Sequence, residues 1–283
     1  MRFGIHVPKQ GNLTKTAVYA RDAGCRTMQI FSGNPIGWRV GALDPADRDG
    51  FREVVSAAEI DPVLVHAPYL INLAARERRL RDLSRRALLD ALERASALGG
   101  WPVVVHAGNH KGAGAERGVE RAIRTLDWVL DRAPAETPLL IENGSGRGTE
   151  IGSTPEELGR IVAPLPARRV GILLDTAHLW AQGYDIRKDA GVARLVADVR
   201  KAPGLRRLRA LHANDSLAEL GSHRDLHAFW GDGQIGRAGL RTIVRSAPLA
   251  RLAVIFEVPA GDLDADRRHL IWARKLDRQA RRP

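Results

Sequence analysis

The sequence predicts an α/β fold, a (β/α)8 TIM barrel built by residues 1–283 as a single domain, and three observations predict it. Strand-like apolar runs alternate with helix-like segments from one end of the chain to the other. The alternation repeats eight times, with no linker, low-complexity segment or further repeat between units. From the third strand onward, every strand ends in a His, Asp or Glu, and a parallel barrel gathers such ends on one face. An open doubly wound sheet is the competing arrangement. Hydrophobic residues make up 44% of the 283 residues, enough for a sizeable core, so disorder is excluded.

Phe3–Val7 reads as the first strand and Leu13–Ala23 as the first helix. Thr27–Phe31 is the second strand, followed by a Gly/Pro/Asn loop at 32–37 that ends at Trp38. At Asp44-Pro45 an aspartate cap and a first-turn proline start a helix. Pro62–His66 is strand three, and the long helix Arg76–Leu98 stops at Gly99-Gly100. Val103–His106 is strand four, and a helix spans about Gly118–Asp131. Leu139–Glu142 is strand five. A glycine-rich loop then leads to a helix capped by Ser153 or Thr154 ahead of Pro155. Val170–Leu174, apolar without a break, is strand six, buried on both faces, and a helix follows near Lys188–Arg200. Leu208–His212 is strand seven. A long polar loop closes in Gly231–Gly236 before the seventh helix. Leu252–Glu257 is strand eight and Asp264–Arg278 the final helix, with an Arg-rich solvated tail from about 278.

Cys25 is the only cysteine, which excludes an intramolecular disulfide and thiolate-rich zinc sites. Any metal must be held by histidine and carboxylate. The net charge of +11 favours a polyanionic partner, nucleic acid above all, against an arginine-biased composition as the plain alternative. No run approaches the roughly 20 apolar residues that span a bilayer. The chain opens on a strand without a secretory signal, so a cytoplasmic protein is the simplest reading.

The strand ends carry the chemistry. His66, His106, Glu142, Asp175 (with His178 three residues on), His212 and Glu257 close six consecutive strands. Charge at the end of a buried strand costs several kcal/mol unless a partner or metal offsets it. Asp225 and His227 in the loop after strand seven add a carboxylate and an imidazole two residues apart. Nine candidate ligands exceed the roughly four that one tetrahedral zinc takes, and suit two or three ions sharing carboxylates. Five imidazoles point to Zn2+, with Mn2+ or Fe2+ as substitutes. Such ions suit phosphoester hydrolysis, which needs an activated water and a neutralised leaving oxygen.

On these motifs the chain resembles the endonuclease IV family of zinc-dependent apurinic/apyrimidinic endonucleases over nearly its whole length. The matching stretches are HAPYLINLA from His66, VVVHAGNH from Val103, LIENGSGRG from Leu140, LLDTAHLWAQGYD from Leu173, HANDS from His212, GSHRDLH from Gly221, then GDGQIG and IFEVP. The resemblance implies a xylose-isomerase-like barrel with about three zinc ions. One is held by His66, His106 and Glu142, and a second by Glu142 as a bridge with Asp175, His212 and Glu257. His178, Asp225 and His227 hold the third. It implies hydrolysis of the phosphodiester 5′ to an abasic site in double-stranded DNA, with Glu142 and Glu257 as catalytic residues and a 3′-hydroxyl as product. Tyr69-Leu70 matches the pair that wedges into the duplex and helps extrude the baseless sugar, and Asn34 and Trp38 join the DNA-binding residues. A monomer with no membrane partner is expected.

The chain also departs from the family. Gly33 stands where the family has lysine, and Ile36 where well-known members have an arginine that enters the base stack. Leu217 and Leu226 replace a lysine and an arginine, and Ala107 a proline. Every metal ligand remains while four basic or stacking contacts are gone. Two rival readings follow: a metal-dependent sugar isomerase or epimerase on the same barrel, and a DNA-binding barrel without turnover.

The other signals are weaker. The loop Gly144–Gly148 lacks the spacing of a phosphate cradle, and a plain turn is the simpler reading. Trp38, Trp180 and Trp230 fall beside strand ends, where rim packing competes with a stacking surface for bases. His6 suits a hydrogen bond behind the site rather than a tenth ligand. His110 and His223 read as loop residues near the site, and His269 as a surface residue of the last helix.

Overall fold

Parallel pairing needs a crossover between strands, and here each crossover is a helix laid on the outside of a nearly closed ring. The structure, a computed structural model, describes residues 1–31, 33–38, 41–258 and 261–280. Its ring strands are β1 (Arg2–Ile5), β2 (Met28–Phe31), β3 (Val63–His66), β4 (Val103–His106), β5 (Leu139–Glu142), β6 (Val170–Asp175), β7 (Leu208–His212) and β10 (Ala253–Phe256). They pair in parallel in the order β1-β10-β7-β6-β5-β4-β3-β2. The ring closes between β1 and β2 through a bridge from His6 to Gln29. There the amide of Val7 donates to the carbonyl of Gln29, at 2.9 Å. Gly4 allows this seam, because a Cβ on it would lie 1.6 Å from the carbonyl oxygen of Thr27. This is the barrel expected from the sequence.

Side chains alternate in and out along a strand, so residues two apart share a face. Leu64, Val104, Leu140, Leu173, Ala210, Ala253 and Ile255 point inward and form a dry plug. Two residues after one of these, on the same face, come His66, His106, Glu142, Asp175, His212 and Glu257. The strand register adds alignment: His106 pairs with Glu142, and Asp175 with His212. Alternation thus places an apolar layer below and a charged layer above. The opposite strand faces join the helices in the larger outer core.

The helices form where the capping residues stand. Asn12 caps α1 (Leu13–Ala23), Asp44 caps α2 (Pro45–Ala57), and Thr154 caps α5 (Pro155–Val162), each accepting from a first-turn amide. Gly100, in the left-handed region, ends α3 (Arg78–Gly99). The next helix, α4 (Ala115–Leu130), starts three residues before the expected Gly118, which packs against His110 inside the first turn. Two elements escaped the sequence reading. A short α6 (Thr176–Ala181) precedes α7 (Asp189–Lys201), and a hairpin of β8 (Asp215–Ser216) and β9 (His227–Ala228) follows β7. The ring is completed by α8 (Gly236–Arg245) and α9 (Leu263–Ala280). Arg278 is therefore helical, and the remainder of the expected tail, 281–283, lies outside the described residues, as does Pro259 of the IFEVP stretch. No described helix is long and apolar enough to cross a membrane.

His269 corrects an expectation. It is not at the surface but 8% exposed, on the face of α9 turned to the barrel, with its ring against Phe229, Phe256 and Trp272. Burial there, with Arg237 nearby, pushes its pKa down to about 4. The unfolded chain, titrating near the ordinary 6.5, then binds the proton that the folded one refuses between those values. This contribution to stability is full above about pH 6.5 and is lost as pH falls toward 4. Across that window it amounts to about 3 kcal/mol. His269→Phe should therefore lose less stability than the parent between pH 7.5 and 4.5, as read from denaturant midpoints. Parallel pH profiles would contradict this account.

Candidate metal centre

The mouth of the barrel brings all nine sequence-predicted ligands together. Glu142, 1% exposed at the end of β5, lies at their centre. Its Oε2 is 3.4 Å from Nε2 of both His66 and His106, and its Oε1 is 2.9 Å from Nδ1 of His212. His212 Nδ1 is also 3.2 Å from Oε2 of Glu257 and 4.0 Å from Oδ2 of Asp175. On the far side, Asp225 reaches Nε2 of His178 at 3.2 Å and Nε2 of His227 at 3.1 Å. Asp175 Oδ2 is 3.7 Å from the same His227 nitrogen, so it faces both the central and the outer group. Three sets of donor atoms converge closely enough to share an ion: His66, His106 and Glu142; Glu142, Asp175, His212 and Glu257; and Asp175, His178 and His227.

Local structure explains the spacing from Asp175 to His178. Asp175 ends β6 and caps α6, its Oδ1 accepting from the amide of His178 at 2.9 Å. The cap leaves Oδ2 for the site, and one helical turn returns His178 to it. The Asp225/His227 pair is placed differently. Asp215, buried in β8, accepts from the amides of Gly231, Gly233, Ile235 and Gly236 at 2.9–3.1 Å. It thereby pins the Gly231–Gly236 loop beneath the hairpin that carries His227.

Side chains behind the ligands fix which atom faces in. His66 Nδ1 bonds the carbonyl of Ala67 at 2.7 Å, and His178 Nδ1 that of Asn143 at 2.8 Å, leaving Nε2 toward the site. His212 is reversed: Nε2 donates to Oε1 of Gln29 at 2.8 Å, and Nδ1 faces inward. The Gln29 amide donates to Oε1 of Glu257 and to Nδ1 of His6, at 2.7 and 2.9 Å. His6 thus sits behind the ligands, as expected. Asn214 holds the other Glu257 oxygen at 2.9 Å and also bonds Asp175. Gln29, Asn143, Asn214 and Asp215 were missed as site residues. A polar Gln29 within an apolar strand was the one signal that could have found it.

The donor set fits a cation. Glu142 Oε2 and His227 Nε2 are buried without a hydrogen-bond partner, and a buried orphan of this kind calls for an ion or another donor. Burial works to lower the pKa of His178 and His227, but the carboxylates of Asp175 and Asp225 override it and raise them to about 10 and about 9. Burial works to raise Glu142 and Glu257, yet the imidazoles hold both well below the ordinary carboxylate range. The carboxylates are thus kept ionised by imidazolium charge, a role that a bound cation can take over as the imidazoles give up their protons. Five imidazoles and four carboxylates, with no thiolate, are a borderline-soft donor set that suits zinc.

The rim agrees with the sequence reading in part. Tyr69 is 57% exposed, Leu70 is half-buried beside it, and the Tyr69 amide is tied to the carbonyl of Pro35 at 2.9 Å. Asn34 is exposed, though its Oδ1 is used by the amide of Ile36. Trp38 packs half-buried on the core. Trp180 and Trp230 cannot stack on bases: both are buried, and Trp180 is spent on the carbonyl of Ala218. The Gly144–Gly148 loop is a turn, because Glu150 already occupies the amides of Gly146 and Arg147. His110 and His223 lie in loops: His110 accepts from the amide of Gly114, and His223 meets the side chain of Gln182. A cleft of about 960 Å³ runs from the ligands past Phe31, Tyr69 and Lys9 to Asp47.

Comparison with known proteins places this geometry. Residues 17–280 match the family model of the xylose isomerase-like TIM barrel. The chain is 40% identical over 275 residues to a protein of Methanoculleus marisnigri named "Probable endonuclease 4", covering 96% of this chain and 98% of that one. It superposes on the crystal structure of endonuclease IV from Thermus thermophilus with a TM-score of 0.86 at 33% identity, covering 99% and 100% of the two chains. A D-tagatose 3-epimerase-like protein superposes with a TM-score of 0.74 at 21% identity and 99% coverage of each, a likeness of fold alone.

Gln29→Ala should loosen His212 and Glu257 together and weaken metal retention about 10–100-fold, the usual effect of removing a residue that orients a ligand. Metal content after dialysis against graded chelator reads this directly. Retention equal to the parent would remove Gln29 from the site.

Proposed function

The chain belongs to the endonuclease IV family, and from that premise we propose that it is a zinc-dependent DNA-repair endonuclease cutting 5′ to abasic sites in duplex DNA. One observation carries the reading: nine imidazole and carboxylate donors meet at the barrel mouth, including the Asp225/His227 pair that lies outside the strand ends. His66, His106 and Glu142 would hold one ion. Glu142, Asp175, His212 and Glu257 would hold a second, and His178, Asp225 and His227 a third, within reach of Asp175. Bound zinc supplies Lewis acidity, which activates water and neutralises the oxygen that leaves the phosphate; manganese or iron could substitute.

The chain's own groups do the rest. Glu142 presents one oxygen toward each of two donor groups and can bridge them. Glu257, held by Gln29 and Asn214, faces the cleft with its orientation fixed and can position the attacking water. Tyr69 and Leu70 stand where an aromatic and an apolar side chain can enter a base stack; Asn34 lines the same cleft, and Trp38 follows in the same loop, half-buried on the core. An abasic nucleotide has little stacking to lose, so extrusion favours it over an intact one.

The apolar character of Ile36, Leu217 and Leu226 weakens no part of the metal site but removes basic contacts to the substrate. The sugar isomerase, which the same barrel fold could host, therefore stays as a second reading. A duplex with one tetrahydrofuran abasic analogue separates the readings. Nicking on its 5′ side is expected; tight binding without nicking would leave a DNA-binding barrel, and neither would leave the sugar enzyme.

Two to three zinc ions per chain should be found by metal analysis, whereas one ion would favour the isomerase. Asp225→Ala should lose the outermost ion and most turnover while keeping the parent's circular dichroism. Full activity in that variant would contradict three ions.

A further inference from the structure

Outside the mouth, the described residues hold a second concentration of charge, on the wall between α3 and α4. Arg78, Arg81, Asp82 and Arg85 follow helical spacing on one face of α3, and Arg121 and Arg124 stand opposite on α4. These six side chains line a cavity of about 300 Å³. Asp82 is the only acid among them, 3.8 Å from Arg78 and 3.6 Å from Arg85, so the lining keeps an excess of positive charge. Two donors of these side chains, Nη2 of Arg121 and Nε of Arg85, are buried without a hydrogen-bond partner. Guanidinium forks gathered this way match the tetrahedral oxygens of phosphate.

The cavity is mechanically joined to the rim. Leaving β3, the chain passes Tyr69 and Leu70 and enters α3 within a few residues. Along this path α4 grips it: Arg121 Nε donates to the carbonyl of Ala74 at 2.8 Å, and Thr125 to that of Leu73 at 3.1 Å. The arginines therefore sit on the outer flank of the same loop that presents Tyr69.

We propose that this arginine cavity is a second phosphate site, which takes backbone phosphodiesters of the duplex where it runs off the rim beyond Tyr69. The assignment rests on the DNA reading above and deepens it, since it locates positive charge that Gly33, Ile36, Leu217 and Leu226 do not supply. A free anion such as pyrophosphate presents the same chemistry to the cavity and is the alternative source.

The test uses the zinc-loaded enzyme and two exposed arginines that hold no backbone. Arg78→Gln/Arg124→Gln should leave kcat unchanged, raise KM for the tetrahydrofuran duplex roughly tenfold, and flatten the dependence of log Kd on log salt. Two lost phosphate contacts correspond to about 1.8 units of slope. The Arg78→Lys/Arg124→Lys protein should keep the parent's slope. Equal KM and slope in parent and Gln variant would overturn the proposal while leaving nicking, and so the proposed function, intact. Absence of both nicking and duplex binding in the parent would overturn the two together. Calorimetry with pyrophosphate provides the last arm: binding lost in the Gln variant, with an unchanged DNA slope, would assign the cavity to a free anion and overturn the DNA assignment.

Discussion

A carboxylate removed from water must face positive charge, and the mouth of this barrel is arranged around that requirement at Glu142. The group is essentially sealed from solvent, with imidazoles at 3.4, 3.4 and 2.9 Å. Directly beneath lies the dry plug of Leu64, Val104, Leu140 and Leu173. Low polarity below strengthens every interaction above it and equally raises the cost of any charge left unmatched. Replacing buried ionic groups by well-packed apolar ones is often neutral or stabilising. The layer therefore reflects what the molecule does rather than what holds it together.

Orientation of that layer and closure of the barrel are the same problem at Gln29. Its backbone carbonyl accepts from Val7 across the seam between β1 and β2, while its side chain fixes both His212 and Glu257. A loosened seam would turn one imidazole and one carboxylate out of register together. The outer donor group depends on different scaffolding, the amides gathered by Asp215 and the helix cap made by Asp175. Two of the site's carboxylates thus act through backbone amides, one of them while also facing the ligands. Helix capping and ligand placement coincide at Asp175 because a cap accepts with one oxygen and leaves the other to face the ligands, where Asn214 also holds it.

Much of this was legible in the sequence, for a definite reason. A two-residue period places a ligand on the same face as the core residue before it, so apolar runs ending in His, Asp or Glu reveal barrel and mouth together. The supporting residues were less legible. Gln29 makes sense only when β1, β2, β7 and β10 are brought side by side, and their separation along the chain hides it. The α6 helix was too short to show a period, and its cap was already read as a strand end. Trp180 and Trp230 were placed beside strand ends correctly, but adjacency in sequence does not say which way an indole points. His269 looked exposed because it stands among arginines on α9, whereas its ring turns into the aromatic cluster at Phe256.

The substrate side obeys a different balance. Ile36, Leu217 and Leu226 are 74%, 59% and 38% exposed on the loops that surround the cleft. Apolar side chains held in water would gain by entering an opened base stack. Long-range attraction does not need its charges at the same place. At physiological salt the screening length is about 8 Å, so on the proposed function arginines on the flanks would act on whichever phosphates pass near them, while the cleft itself is lined by Lys9 and Arg94 as its only Lys or Arg among the described residues. A net charge of +11 carried mainly by arginine outside the cleft is consistent with that division. On the proposed function, attraction to a polyanion would be spread over the body, and selection of the abasic nucleotide left to shape and to the ligand layer. A lysine or arginine close to Glu142 would instead offset the same negative charge that a metal must meet.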